Sequence, residues 1–343
     1  MSQIEAERPA DDAGPEETFG FKPPRLISVG SISSRFAVVG LWAALAGLYA
    51  LIEPAAFLQS GTFRAIFGSQ QGQALIFLGL ALIVVFVAGE FDLSIASNLG
   101  LASTTTAVLT ILHGWPFWAA AVVALVASVL AGLINGLVVV KLGINAIVVT
   151  LGMATLLLGI ALLISSSNTI SGLSASVASL TNTTVIGLPL GFYYAIAASA
   201  VVFYVLTCTP LGRYLRFIGS NPEVARLAGI RVSSMRIGAY VMAGLLCGIG
   251  GVILVAGLGS FDPSSSGLYL LPTFSAVFLG TAIVQPGRFN ALGMVIAVFF
   301  LQTGILGLQM LGYTGWVSDV FYGAALIVAV TVSTLVLRRS EKG

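Results

Sequence analysis

The chain has 343 residues, of which 57% are hydrophobic and only 8% charged, with a formal net charge of +2 and a mean hydropathy of +1.03. Soluble domains average about 25% charged residues, so an ordinary soluble fold is excluded. The apolar runs are continuous over roughly 15 to 20 residues, which suits spanning helices and not the period-2 strands of a membrane barrel.

The expected fold is an all-α, polytopic helical membrane protein. Residues 1–34 are a tail whose first twenty residues carry Glu5, Glu7, Asp11, Asp12, Glu16 and Glu17 against Arg8. Such a composition predicts a disordered acidic segment. It lacks a basic stretch leading straight into an apolar core, so it does not resemble a cleaved signal peptide, and the first apolar run is expected to be an uncleaved anchor. The membrane domain, residues 35–338, divides into about ten spans. They are Ala37–Ile52, Ala74–Ala88, Leu93–Leu112, Phe117–Val140, Ile144–Ser165, Phe192–Cys208, Ile237–Ala256, Leu271–Val284, Asn290–Met310 and Val317–Leu337. Residues 339–343 are a short second tail. Placing both termini inside puts fourteen of the fifteen basic residues on the cytoplasmic side and leaves only Arg64 outside. That bias predicts an N-in, C-in topology. Ala74–Ala88 and Leu271–Val284 are short for a full crossing of a roughly 30 Å core and suggest half-helices or neighbours of a re-entrant loop.

Two segments are expected outside: Ser166–Leu190, which has no charge, and Gly257–Tyr269, with Asp262, Pro263 and a serine run. They are either contacts for a substrate-delivering protein or plain solvated loops. Gly132 with Gly136, and Gly244 with Gly248, have the small-x-x-x-small spacing that lets helices approach closely, either within the chain or at a dimer seam. Cys208 and Cys247 have no disulfide or metal spacing and are expected to be small core hydrophobes. His113, the single histidine, falls at a helix end and is assigned no chemistry.

Two stretches interrupt the apolar text. In the first, Gly89-Glu90-Phe91-Asp92-Leu93-Ser94, two carboxylates break a hydrophobic run. Asp92 or Ser94 has the chemistry to N-cap the following span, where a carboxylate also meets the positive end of the helix dipole. The alternative is a break inside the membrane that lines a path. The second stretch, residues 209–236, holds Arg213, Arg216, Arg226, Arg231 and Arg236 against one acid, Glu223, which marks a cytoplasmic loop. It contains a short helix written with two possible starts. Ser220-x-x-Glu223 is a capping box, and Asn221 followed by Pro222 is a cap with proline at the first helical position. Val224, Leu227 and Ala228 share a face, Gly229 supplies a left-handed C-terminal cap, and Ile230 is placed for the accompanying hydrophobic contact. At about two turns, roughly 11–12 Å, such a helix is marginal alone. It packs either on the chain's own membrane helices or on a soluble partner.

Leu211-Gly212-Arg213 followed by Gly219-Ser220-Asn221-Pro222-Glu223-Val224-Ala225-Arg226-Leu227-Ala228-Gly229-Ile230 resembles the cytoplasmic loop of bacterial ABC-type sugar importer permeases, the ribose, xylose and galactose class. Gly89, Asp92, Leu93, Ser94 and Ser97 resemble a second block of that family; Glu90 and Ala96 stand where glycines are usual. Val149-Thr150-Leu151-Gly152-Met153 and Phe278-Leu279-Gly280-Thr281 with Pro286-Gly287-Arg288 and Gly293 resemble two more. The blocks run in order over roughly Phe57 to Leu337.

The resemblance implies a coupling helix seated in a groove of an ATP-hydrolysing subunit, involving Ser220, Asn221, Pro222, Glu223, Ala225, Arg226, Gly229 and Ile230. It implies a translocation path or gate shaped by Gly89, Glu90, Asp92, Ser94, Thr150 and Gly152. The implied partners are two copies of the ATP-binding subunit, a second permease (identical or homologous), an extracytoplasmic solute-binding protein and the lipid bilayer of the bacterial inner membrane; no nucleic acid is expected. The chain has no G-x-x-x-x-G-K-[ST] loop around Lys22, Lys141 or Lys342, no H-E-x-x-H and no G-x-S-x-G. No catalytic residue, metal site or cofactor is therefore expected in this chain, with ATP and Mg held by the partner. The competing expectation from another class is a secondary transporter driven by an ion gradient, with Glu90 and Asp92 as the ion site.

Overall fold

The computed structural model describes residues 37–341, with side chains described over 38–331. The expectations for the acidic tail and for the last two residues of the C-terminal tail lie outside the described residues. Among the described residues the structure is all-α, with seven helices long and apolar enough to cross a membrane. Two shorter apolar helices, Val38–Ile52 and Val317–Thr331, flank them.

In chain order the helices are α1 (Ala37–Ile52), α2 (Pro54–Phe57), α3 (Ser60–Phe67), α4 (Gln70–Val87), α5 (Ile95–Ala107), α6 (Phe117–Lys141), α7 (Ala146–Ile164), α8 (Ala175–Asn182), α9 (Leu190–Cys208), α10 (Pro210–Ser220), α11 (Pro222–Leu227), α12 (Val232–Leu258), α13 (Leu270–Gly280), α14 (Ala291–Met310) and α15 (Val317–Glu341). A π-turn, Val108–Leu112, extends α5. The last helix runs on through Glu341, past the expected boundary at residue 338.

The centre of the fold is α4. It starts on a Ser69 cap, whose hydroxyl accepts from the Gly72 N–H at 3.0 Å. Every residue from Gly72 to Val87 is buried. A helix apolar on all sides belongs in the middle of a bundle, and α5, α9, α12, α13 and α14 pack around this one. The expected half-helix Ala74–Ala88 is thus corrected: it has 18 residues, about 27 Å, and was underestimated because Gln70, Gln73 and Gly72 interrupt the apolar text.

The second short span is a broken one. α13 has only 11 residues, about 16 Å. It is preceded by a 3-10 helix, Pro263–Tyr269, whose start is held by the Asp262 carboxylate accepting from Ser264 N–H at 2.9 Å. Ser266 of that turn is buried against Gly100 of α5, so part of the segment expected as an external loop packs inside the bundle. Asn290 closes the other end. Its Nδ2 donates to the carbonyls of Gly280 and Ile283, both at 3.1 Å, and its Oδ1 accepts from Gly293 N–H at 2.6 Å to start α14.

The two segments expected outside join each other. Strand β1 (Ile170–Ser171) pairs antiparallel with β4 (Ser260–Phe261), and β2 (Thr184–Val185) with β3 (Leu188–Pro189). Asn182 at the end of α8 donates to the Gly257 carbonyl at 2.9 Å. The small-residue motifs are internal: a Cβ on Gly132 would meet the Tyr240 carbonyl at 2.3 Å and one on Gly244 the Ser128 carbonyl at 2.4 Å. α6 and α12 therefore touch backbone to backbone, the close approach such spacing permits. Cys247 is buried as expected, whereas Cys208 is exposed: it is the last residue of α9.

Candidate functional site

The arginine-rich stretch is built of two helices and not a loop with one. Thr209 caps α10, its hydroxyl accepting from Gly212 N–H at 3.5 Å, with Pro210 in the first turn. Threonine before proline is a start signal that sequence reasoning passed over. Asn221 ends α10 and caps α11, its Oδ1 accepting from the N–H groups of Glu223 and Val224 at 3.1 and 3.0 Å. Of the two expected registers, the Asn221–Pro222 start is the one formed. Ser220 belongs to the preceding helix, and Glu223 turns to Arg226 at 3.4 Å instead of folding back.

α11 has six residues, about 9 Å, shorter than expected. Its C-terminus is a full Schellman motif. Gly229 has φ +80°, its N–H donates to Arg226 O at 3.0 Å, and Ile230 N–H donates to Ala225 O at 3.1 Å. Ile230 packs with Ala225, Ile218, Val232 and Met235. Ala225 is the buried foot of the helix, while Val224 and Leu227 stay out, Leu227 at 88% exposure. The expected shared face of Val224, Leu227 and Ala228 is thus an outward one. Beside it lies an open cavity of about 770 Å³ lined by Arg213, Tyr214, Phe217, Gly229 and Arg231 among others.

The stretch around Glu90 ends α4 with the same motif. Gly89 has φ +80°, and Gly89 and Glu90 donate to Phe86 O and Val85 O at 3.0 and 3.1 Å. The two stretches meet. A Cβ on Gly219 would lie 2.4 Å from the Val87 carbonyl, and one on Gly89 would lie 3.1 Å from Gly219 Cα. Only glycine at both positions lets these backbones touch. The turn at 88–94 therefore sits on the same side of the protein as the arginine-rich segment.

Glu90 is 4% exposed and forms an ion pair with Arg236 of α12. The Tyr240 hydroxyl, one helical turn further on, lies 2.9 Å from the Phe91 carbonyl and 3.2 Å from Glu90 Oε2. Asp92 Oδ1 accepts from Ser94 N–H at 2.8 Å and from Ser94 Oγ at 2.6 Å. Neither Asp92 nor Ser94 caps α5 through its side chain, contrary to the capping expectation, because Asp92 spends its oxygen on the turn ahead of the helix. Burial pushes the Asp92 carboxyl up to about 6, against the hydrogen bonds from Ser94 that favour its charged form. Ser94 Oγ also accepts from Asn135 Nδ2 of α6 at 2.9 Å. Thr150 of α7 accepts from Leu93 N–H at 3.0 Å.

Gly89, Glu90, Asp92, Ser94 and Thr150 are thus brought together. Gly152 is not: it is exposed on α7 with nothing near it, because it lies two residues past Thr150, on another face of the helix. Missing from the sequence-based set are Gly219, Asn98, Asn135, Arg236 as a partner, and Tyr240. A lone asparagine in an apolar span was the available signal for Asn98 and Asn135. Both are buried, and their Oδ1 atoms, with Ser128 Oγ, lack hydrogen-bond partners among the described residues.

A family model described as "Branched-chain amino acid transport system / permease component" matches residues 64–330. The autoinducer 2 import system permease protein LsrD of Salmonella typhi is 30% identical over 270 residues, 77% of this chain and 81% of that protein. The LsrD proteins of Klebsiella pneumoniae and Escherichia coli K12 are 31% and 32% identical, over 76% and 77% of this chain and 80% and 82% of theirs. No solved structure matches the chain. With apolar helices packed around a buried central one, with the importer-permease motifs in order, and with these relatives, the chain belongs to this permease-component family: it is a multi-pass inner-membrane permease subunit of an ABC-type import system.

Proposed function

We propose that this chain forms the path for import of a monosaccharide or similarly small polar solute, as a transport subunit that performs no chemistry of its own. ATP and Mg are bound by a separate ATP-hydrolysing subunit, present in two copies. A second permease, identical or homologous, completes the path, and an extracytoplasmic solute-binding protein delivers the solute at the joined outer segments. Both termini lie inside, on the side of the arginine-rich segment. The solute class follows the motif resemblance and the relatives' import of autoinducer 2.

The observation that carries the reading is α11: a short helix capped at both ends, held by Ala225 and Ile230, that presents Glu223, Val224, Arg226 and Leu227 outward. An exposed leucine on a preformed helix beside an open cavity suits a groove in a soluble partner. In this reading Ser220, Asn221, Pro222, Glu223, Ala225, Arg226, Gly229 and Ile230 form the ATPase seat. Gly89, Glu90, Asp92, Ser94 and Thr150 shape the inner gate. The ion-gradient alternative, with Glu90 and Asp92 as the ion site, is disfavoured at Glu90, whose charge pairs with Arg236, and rests on Asp92.

The test is a pull-down from mildly solubilised native membranes with a tag on this chain. Wild type is expected to recover an ATP-binding subunit. Glu223→Lys and Gly229→Val, each at normal membrane level, are expected to lose at least about tenfold, or roughly 1.4 kcal/mol of docking. Recovery undiminished with both variants removes α11 from the interface.

A further inference from the structure

We propose that the Glu90–Arg236 pair is a transmission joint, which carries displacement of the α10–α11 segment through the turn at residues 88–94 into the polar cluster around Asp92; this rests on the reading of α11 as the ATPase seat. Glu90 and Arg236 act here as positioning residues. The Gly89–Gly219 contact is backbone against backbone with no hydrogen bond across it among the described residues. Such a contact resists compression and offers almost nothing against separation. A rocking motion driven from the cytoplasmic side needs a link that also pulls.

The ion pair supplies that link. Glu90 occupies the position after a left-handed glycine where an apolar residue usually packs, and it lies beside the carbonyl end of α4, which repels a carboxylate. A buried charge in that place is held chiefly by Arg236, with the Tyr240 hydroxyl 3.2 Å from its other oxygen. Arg236 sits in the second turn of α12, the helix entered directly from α11. Its side chain is 30% exposed, so the pair spans the boundary between water and the packed bundle. Tyr240 adds a second grip on the same turn through the Phe91 carbonyl. Beyond Phe91 the chain is tied on to two further helices, by Leu93 to Thr150 and by Ser94 to Asn135. Motion of the first turns of α12 therefore reaches α6 and α7 without passing through the membrane core.

The decisive comparison is between the single variants Glu90→Met and Arg236→Met and the double variant. Each single leaves the partner's charge unpaired and lowers the melting temperature; the double removes both charges and regains most of that loss. A purely structural pair is then fully replaced. A joint is not. The readout is maleimide modification of Phe91→Cys, an exposed position on the turn, in a Cys208→Ser background, in the purified complex with its ATPase subunit, with and without ATP and vanadate. With the native pair, trapping is expected to change the modification rate by about threefold or more, as an order of magnitude for gating of a loop. In the double variant, where only the Tyr240 grip remains, the response to trapping is expected to fall well below that of the native pair while the ATPase subunit still co-purifies. A double variant that responds like the native pair overturns the proposal, and so does a native pair that never responds. Loss of co-purification with the native pair would instead sink the docking reading, and is scored separately.

Discussion

The ends of α4 and α11 use one backbone device for two environments. Each helix stops at a glycine with φ +80°, followed by a residue that donates back to the third-last helical carbonyl. After α11 that residue is Ile230, which packs on Ala225 as the motif prefers. After α4 it is Glu90, which is buried and satisfied by Arg236, 146 positions away in sequence. The glycine sets where a helix ends; the residue after it decides what the end is attached to. An apolar residue there folds the end onto its own helix, whereas a buried charge ties it to a distant one.

The largest expected effect strikes where the two ends meet. Gly219→Val drives a branched side chain into the Val87 carbonyl, backbone that has nowhere to go. A cost of about 3 kcal/mol or more is expected, seen as a sharp fall in melting temperature and in correctly inserted protein. A variant of normal stability would mean that the helix ends do not touch.

Alanine at the two capping glycines separates strain from contact. Gly229→Ala is expected to cost about 1 kcal/mol, the left-handed penalty alone, since open space surrounds it. Gly89→Ala carries the same penalty plus a 3.1 Å approach to Gly219 Cα, and about 2 kcal/mol is expected. Thermal unfolding in one detergent measures both. Equal costs would erase the distinction between the sites.

The smallest effect belongs to the exposed ion pair. Glu223 and Arg226 are 71% and 65% exposed and three residues apart, so Arg226→Ala is expected to change stability by under about 0.5 kcal/mol, and by less in high salt. Any larger loss would show that α11 is more enclosed than the free chain suggests.

The legible features were the local ones. Span positions came from apolar runs, the α11 caps from Asn221, Pro222 and Gly229, and the small-residue faces of α6 and α12, though not their pairing, from the glycine spacing, because each signal sits within a few residues of what it determines. Gly89 obeys the same capping rule as Gly229, yet the carboxylates beside it point to the start of the next span and to a path, not to the end of α4. What could not be read was long-range. Nothing near Glu90 names Arg236, nothing near Asp92 names Asn135, and nothing near Gly89 names Gly219. The true extent of α4 was hidden by its glutamines, and Gly152 was grouped with Thr150 through the motif block they share although a helix turns them apart.

The outer segments have a kinetic consequence. Residues 166–190 carry no charge at all, and Asp262 is the single one in 257–269, while five arginines crowd the opposite face between 209 and 236. A protein arriving at the outer segments meets almost no guiding field, so its encounter rate should be nearly flat in ionic strength, and recognition there must come from shape and neutral hydrogen bonds. Association at the arginine face should slow as salt shortens the Debye length. Stopped-flow binding on the two sides of the same purified protein would thus show two opposite dependences on added salt: one side indifferent, the other steep.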